Sequence, residues 1–195
     1  MEKSKLDRRI RYTKKLLEDA LVSLMMNQHI SGISVKALCE KADINRSTFY
    51  TYYKSPYDLL CQIEKEVTEK VKKYLEQQDF SPNKPLPEQV FTSILMYAKE
   101  NRDLFMVLLG ENSDYLFNQD ILSLSQVIAQ QYHLPLDNNI KGYLEAFGTA
   151  GCVSVFHNWL KAGTLEPPEE ISTLVAQLLQ NGISSLKDML KKYVK

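Results

Sequence analysis

Residues 44–54 read Ile-Asn-Arg-Ser-Thr-Phe-Tyr-Thr-Tyr-Tyr-Lys, and the fold follows from how this stretch starts a helix. Asn45 is a strong N-cap residue whose side chain can accept the otherwise unpaired amide of Ser47 or Thr48, while Ile44 and Phe49 hold the two staple positions. A short helix is expected from Arg46. Eleven residues upstream the same pattern recurs: Ile33, then Ser34 as N-cap, then Leu38 as staple partner, with Val35, Leu38, Cys39 and Ala42 on one apolar face. Between the two helices lies Ala42-Asp43-Ile44-Asn45, a tight turn in which aspartate is one of the few residues besides glycine to tolerate a left-handed backbone. The unit is expected to be a helix-turn-helix, with its second helix as the recognition helix.

The second helix sorts its side chains by the 3.6-residue period. Phe49 and Tyr53, four apart, pack inward, which leaves Arg46, Ser47, Tyr50 and Thr51 pointing out. No acid stands between Asp43 and Asp58, as a surface approaching phosphates requires. Arg46 is the best base reader, able to give two hydrogen bonds to a guanine edge, and Ser47 and Thr51 suit bases or a thymine methyl. Thr48, Tyr50, Tyr52 and Lys54 suit phosphates, which fix register without reading sequence. The same local pattern is compatible with a solvated helical hairpin in an all-helical protein.

Composition sets the wider limits. A chain of 195 residues with 44% hydrophobic residues is long enough to bury a real core. The formal net charge is zero, which excludes a uniformly basic nucleic-acid binder, yet residues 1–60 carry 11 Lys and Arg against 7 Asp and Glu. The basic part is the helix-turn-helix part. Cys39, Cys61 and Cys152 are odd in number and far apart, so neither disulfides nor a zinc site is expected. His29, His133 and His157 are isolated, and no Gly-rich phosphate loop, nucleophile elbow or His-Glu-x-x-His occurs; neither catalysis, a metal nor a cofactor is expected. The charged N-terminus is no secretory signal. The longest apolar candidate, Ala146 to Leu160, has 15 residues including His157 and Asn158, short of the ~20 a bilayer needs. A cytoplasmic protein with no membrane partner is expected.

Taken in order, residues 1–11 form a basic arm of Lys3, Lys5, Arg8, Arg9 and Arg11 leading into a helix to about Gln28, with Leu6, Ile10, Leu17, Leu21 and Leu24 as its apolar stripe. After the hairpin, Ser55 caps and Pro56 opens a long charged helix to about Gln78, with one apolar seam. Asp79 to Pro87, holding three prolines, reads as a loop. Helices are expected over 88–100, over 102–109 with Asn101 as cap, over 114–132, over 139–162 and from 168 to about 193. The 139–162 helix is apolar on most sides and is expected to be buried against several partners, with Gly142, Ala146 and Ala150 allowing close approach. The fold class is all-α, divided into a head at 1–55 and a body at 56–195.

Residues 8–60, from Arg-Arg-Ile-Arg-Tyr through Ser-Thr-Phe-Tyr to Asp-Leu-Leu, resemble the DNA-binding domain of TetR/AcrR-family transcriptional regulators. Asp43 stands where that family usually has Gly, Tyr52 where His is common, and Pro56 where a phosphate-contacting Lys is usual, leaving Lys54 to replace it. The resemblance also implies a DNA contact at Lys36. Asn101-Arg-Asp-Leu-Phe-Met-Val-Leu-Leu109, Ala-Phe-Gly-Thr-Ala-Gly near 150 and Asn158-Trp-Leu-Lys-Ala-Gly163 resemble the C-terminal domain of a TetR subgroup that includes dihydroxyacetone-kinase regulators.

The expected function is a ligand-responsive repressor that binds a palindromic operator in double-stranded DNA as a homodimer. Dimerisation is expected through a four-helix bundle of residues 139–162 and 168–190 from each chain. Candidates for lining an effector pocket are Phe91, Tyr97, Phe105, Tyr115, Phe117, Tyr143, Phe147 and Trp159. The competing reading is a co-regulator that acts mainly through a protein partner, with weak DNA binding of its own.

Overall fold

The architecture is set at the turn after the second helix. Asp43 adopts φ 53° and ψ 46°, the left-handed well that an L-residue enters at a cost of roughly 1–2 kcal/mol. Its N–H donates to Glu40 O at 3.4 Å and the N–H of Ile44 donates to Cys39 O at 3.0 Å, the paired bonds of a Schellman C-cap. Helix α2 (Val35–Ala42) therefore stops, and α3 (Arg46–Tyr52) leaves in a new direction.

This computed structural model describes residues 2–77, 88–110 and 138–185, with side chains for 7–77, 88–110 and 139–182. Among the described residues every regular element is helical. α1 spans Glu2–Met25, so the basic arm is itself helical from its second residue, and a single 3-10 turn at Ile30–Gly32 leads into α2. The expected 79–87 loop, the 114–132 helix and the end of the last helix beyond Ser185 lie outside the described residues.

Side-chain caps open α2 and α4 (Pro56–Glu76). Ser34 Oγ accepts the Ala37 N–H at 3.1 Å to open α2. Ser55 Oγ accepts the Asp58 N–H at 3.1 Å to open α4, and the Asp58 carboxylate reaches back to the Lys54 N–H at 2.8 Å. Pro56 sits at the first helical position, where its missing N–H costs nothing. Two caps differ from expectation. Asn45 and Asn101 both hold the N-cap position, yet neither side chain makes a capping bond. Asn101 instead donates from Nδ2 to Tyr97 O at 2.9 Å, back along the preceding helix α5 (Glu88–Glu100).

The core explains the packing. Phe49, Leu38, Leu17, Leu21 and Leu59 are all fully buried, in one cluster that continues through Leu95 and Leu108 to Leu160. It thus runs from the helix-turn-helix through α4 and α5 into α6 (Arg102–Leu108) and the end of α7 (Asn138–Lys161). A second cluster joins Val71 and Leu75 of α4 and Val90 and Phe91 of α5 to Val175 and Ala176 of α8 (Pro168–Ser185). α5 and α8 are pinned by a Thr92–Ser172 hydroxyl pair at 2.7 Å and by Thr173 Oγ1 donating to the Glu88 carboxylate at 2.9 Å.

α7 departs from the expectation of burial on all sides. Gly142, Tyr143, Ala146, Phe147, Ala150, Gly151 and Ser154 are exposed, a single stripe at spacings of one and four along the helix. Its other side meets α5, α6 and α8. Close approach occurs at Gly148, where an added Cβ would lie 3.3 Å from Leu179 Cδ2, whereas one at Gly142 would meet nothing within 4 Å. The composition of a helix does not say how many neighbours surround it.

Asp43 sits in a backbone well that only glycine enters without penalty. Asp43→Gly is therefore expected to leave stability within about 1 kcal/mol of the original or to raise it, while the β-branched Asp43→Val loses roughly 1–2 kcal/mol. Urea denaturation followed by circular dichroism measures both, and a Val variant as stable as the Gly variant would contradict the strain argument.

Candidate nucleic-acid interface

The outward face of α3 is built on what lies behind it. Phe49 is fully buried and Tyr53 is 3% exposed, their ring centroids 5.8 Å apart. With these two side chains fixed, Arg46, Ser47, Tyr50 and Thr51 face solvent. Tyr50 is 58% exposed while its ring stands edge-on to Phe49 at 5.4 Å, so its position is set although its hydroxyl is free to reach outward. Thr51 Oγ1 donates to Ser47 O at 3.0 Å, which leaves its lone pairs and its methyl for a partner.

The remaining candidates are placed as follows. Thr48 is half-buried, and so is Tyr52, which packs against the core with its ring 6.4 Å from that of Tyr53. Lys54 is exposed, its backbone held by Asp58. Lys36 is exposed and 3.8 Å from Glu40, one turn further along α2. A solvated pair at that spacing contributes at most about 0.5 kcal/mol, too little to keep Lys36 from another anion.

Acidic groups gather behind α3. Burial pushes the Tyr53 phenol well above its ordinary range, reinforced by the negative charges of Glu18, Glu66 and Asp58, so this side chain stays neutral. Lys14 Nζ lies 5.8 Å from the centre of the same ring. Burial, then the Glu66 carboxylate, raises the Glu18 carboxyl above the usual carboxylate range, with Lys15 and Lys14 opposing and Asp19 adding. Cys39 is also raised by burial, although Arg46 pulls the other way; such a thiol stays protonated and serves as packing.

The aromatic pocket candidates fall into two settings. Phe91, Phe105 and Trp159 are each 4% exposed, within the core. Tyr97 is half-buried, edge-on to Phe105 at 5.3 Å, with Lys70 Nζ 3.7 Å from its ring centre. Tyr143 and Phe147 are 71% and 80% exposed on α7, and Tyr115 and Phe117 lie outside the described residues. A cleft of about 560 Å³ opens elsewhere, between α1 and the α5–α6 corner, lined by Lys15, Glu18, Asp19, Lys99, Glu100, Arg102 and Asp103 among others. None of the aromatic candidates lines it. Among the described residues no group of three or more His, Cys, Asp or Glu is arranged to hold a metal ion, and no helix is long and apolar enough to cross a membrane.

Comparison with known proteins gives this arrangement its class. Residues 86–181 match the family of transcriptional regulator C-terminal regions of TetR type, so this part of the chain is similar to the C-terminal region of such regulators. It is 24% identical over 171 residues to an uncharacterized HTH-type transcriptional regulator, YxbF, of Bacillus subtilis (strain 168). That match covers 84% of this chain and 43% of YxbF, so the chain spans less than half the length of the curated relative it matches. Two solved structures share the fold. A TetR transcriptional regulator from Streptococcus agalactiae 2603V superposes with a TM-score of 0.64 at 21% identity, over 90% of this chain and 98% of that one. The dihydroxyacetone kinase operon activator DhaS does so with a TM-score of 0.57 at 18% identity, over 94% and 98%.

The charge behind α3 carries a pH prediction. A carboxyl raised in the folded state favours folding below its unfolded value and loses that advantage as pH rises through the folded value. Glu18→Gln is therefore expected to raise the melting temperature at pH 7 and to make no difference at pH 3. Solvent screening at this partly exposed site limits the gain to below about 1 kcal/mol. Thermal melts at the two pH values check it; a variant that melts lower than the original at pH 7 would show that the Lys14 and Lys15 attractions outweigh desolvation.

Proposed function

We propose that this protein is a ligand-responsive repressor that reads a palindromic operator in double-stranded DNA as a homodimer, in the cytoplasm. The observation that carries the DNA reading is the exposed, carboxylate-free face of α3, with Arg46, Ser47, Tyr50 and Thr51 mounted on the buried Phe49 and Tyr53. Arg46 gives two hydrogen bonds to a guanine edge, Ser47 and Thr51 touch neighbouring bases, and Lys36, Thr48, Tyr50, Tyr52 and Lys54 hold phosphates. The division into a DNA-binding head at 1–55 and an effector and dimerisation body at 56–195 belongs to the same reading.

The exposed stripe of α7 supports the dimer. Tyr143 and Phe147 stand beside small residues at Gly142, Ala146, Ala150 and Gly151, and α8 adds the exposed Leu174 and Leu178. A contiguous apolar surface of this kind marks an interaction site. Its occupant in this reading is a second copy, packed through 139–162 and 168–190 as a four-helix bundle with two-fold symmetry. Two heads then meet half-sites about 34–36 Å apart. An effector that binds one head spacing better than the other shifts the population by its differential affinity, and by no more. The name of DhaS, an operon activator, favours activation as a second outcome of the same binding.

Selection of bound duplexes from a random library at near-physiological salt tests the reading, with an inverted repeat expected. Arg46→Ala then relaxes preference at one base pair per half-site, at roughly 1–3 kcal/mol. Lys54→Ala weakens all sequences alike and lowers the salt slope by about 1. Equal, sequence-blind losses from both variants would sink the role given to Arg46.

Because Phe147 is 80% exposed, Phe147→Glu is expected to leave the helical content of the chain unchanged while sedimentation shows a shift from dimer to monomer. Operator affinity falls with it. A Glu variant that remains dimeric at micromolar concentration would place the interface elsewhere.

A further inference from the structure

Asn45 is the residue whose behaviour departs most from its type. It stands at the N-cap of α3 with φ −66° and ψ 143°, an extended backbone like that of the N-caps Ser34 and Ser55. Both serines accept a helix amide at 3.1 Å, and His29 Nδ1 accepts the Ser31 N–H at 3.2 Å at the 3-10 turn. Asn45 belongs to the residue types that cap best, yet its side chain makes no capping bond and the residue is exposed. Asn101, the other cap of this kind, differs: it is half-buried and bonded to Tyr97.

We propose that Asn45 reads a base, pairing its side-chain amide with the N6 amino group and N7 of an adenine next to the base pair read by Arg46. The inference rests on α3 being the recognition helix. In a docked helix-turn-helix the N-terminal residues of that helix reach base edges, and Asn45, Arg46 and Ser47 are the exposed residues at that end. An amide offers one acceptor and two donors in a plane. Adenine presents the matching donor and acceptor side by side, whereas guanine presents two acceptors and would set O6 against the amide oxygen. Being neutral, Asn45 adds discrimination without adding phosphate attraction, so the salt dependence of binding is untouched by it.

The test compares the original protein with Asn45→Ala and Asn45→Ser in selections from a random duplex library, with salt titrations and thermal melts of each. The original protein is expected to select an inverted repeat with one conserved adenine per half-site. Both variants lose that adenine preference by roughly tenfold and keep every other position, the salt slope and the melting temperature. A repeat unchanged in Asn45→Ala overturns the inference and leaves the regulator reading standing. So does an even loss across sequences, which marks a phosphate contact. A lower melting temperature in Asn45→Ala but not in Asn45→Ser overturns it too, since that marks a cap. No repeat selected by the original protein overturns the regulator reading and this inference together.

Discussion

One backbone choice, the left-handed conformation of Asp43, determines which side of α3 is a surface. Each residue turns a helix by 100°, so a turn shorter or longer by one residue would swing Phe49 out of the core and, in one of the two directions, carry Arg46 toward it. Burying a phenylalanine contributes about 1.5–3 kcal/mol. Burying an unpaired guanidinium costs several kcal/mol. The strain of roughly 1–2 kcal/mol in an L-residue at that position is small beside the sum of these two, and the Schellman bonds from Asp43 and Ile44 hold the choice in place. The staple Ile44 to Phe49 and the buried Tyr53 then act on an orientation already fixed.

The same orientation separates charge within a neutral chain. The outward face of α3 carries no carboxylate, while the charges of Glu18, Glu66 and Asp58 act on Tyr53 behind it. Asp58, in the first turn of α4 behind its cap Ser55, is occupied by the Lys54 amide. Glu18 bears the cost of crowding, which is why its carboxyl is raised by burial and by Glu66. A net charge of zero is therefore no obstacle to binding DNA. At physiological salt the field reaches only about 8 Å, so a phosphate responds to the residues in front of it and not to the sum over the chain.

Much of the head was legible in the sequence because its determinants are local. Ser34, Asp43 and Ser55 each act through bonds to residues within five positions, and Pro56 acts through its own ring at the first helical position, so residue type and spacing suffice to place them. The same holds for α5, Glu88–Glu100, whose bounds follow from the prolines before it and Asn101 after it. Asn45 and Asn101 were legible as positions but not as bonds. An asparagine amide serves a cap, a carbonyl one turn back or an outside partner equally well, and the choice belongs to the surroundings. The aromatic residues of the body were illegible in a different way. Phe91 and Phe147 occupy similar places on apolar helices, yet one is 4% exposed and the other 80%, because burial depends on which helix lies opposite.

The exposed stripe of α7 and the outward face of α3 are linked through the packing between them. Arg102 Nε donates to Leu160 O at 3.0 Å, tying the start of α6 to the last turn of α7. There Gly163 and Thr164 turn the chain through positive φ, and Trp159 Nε1 donates to Glu166 O at 3.0 Å to close the corner. α6 packs in turn on α1, which backs the helix-turn-helix. The steps are apolar contacts and directed hydrogen bonds, with the cleft between α1 and the α5–α6 corner lying beside the last of them. Packed interiors of this density transmit displacement and absorb little of it. On the dimer reading, a change in how α7 meets its partner must therefore appear as a change in the position of α1 and the head it carries. On the same reading an effector needs no contact with α3 to alter what that helix can reach.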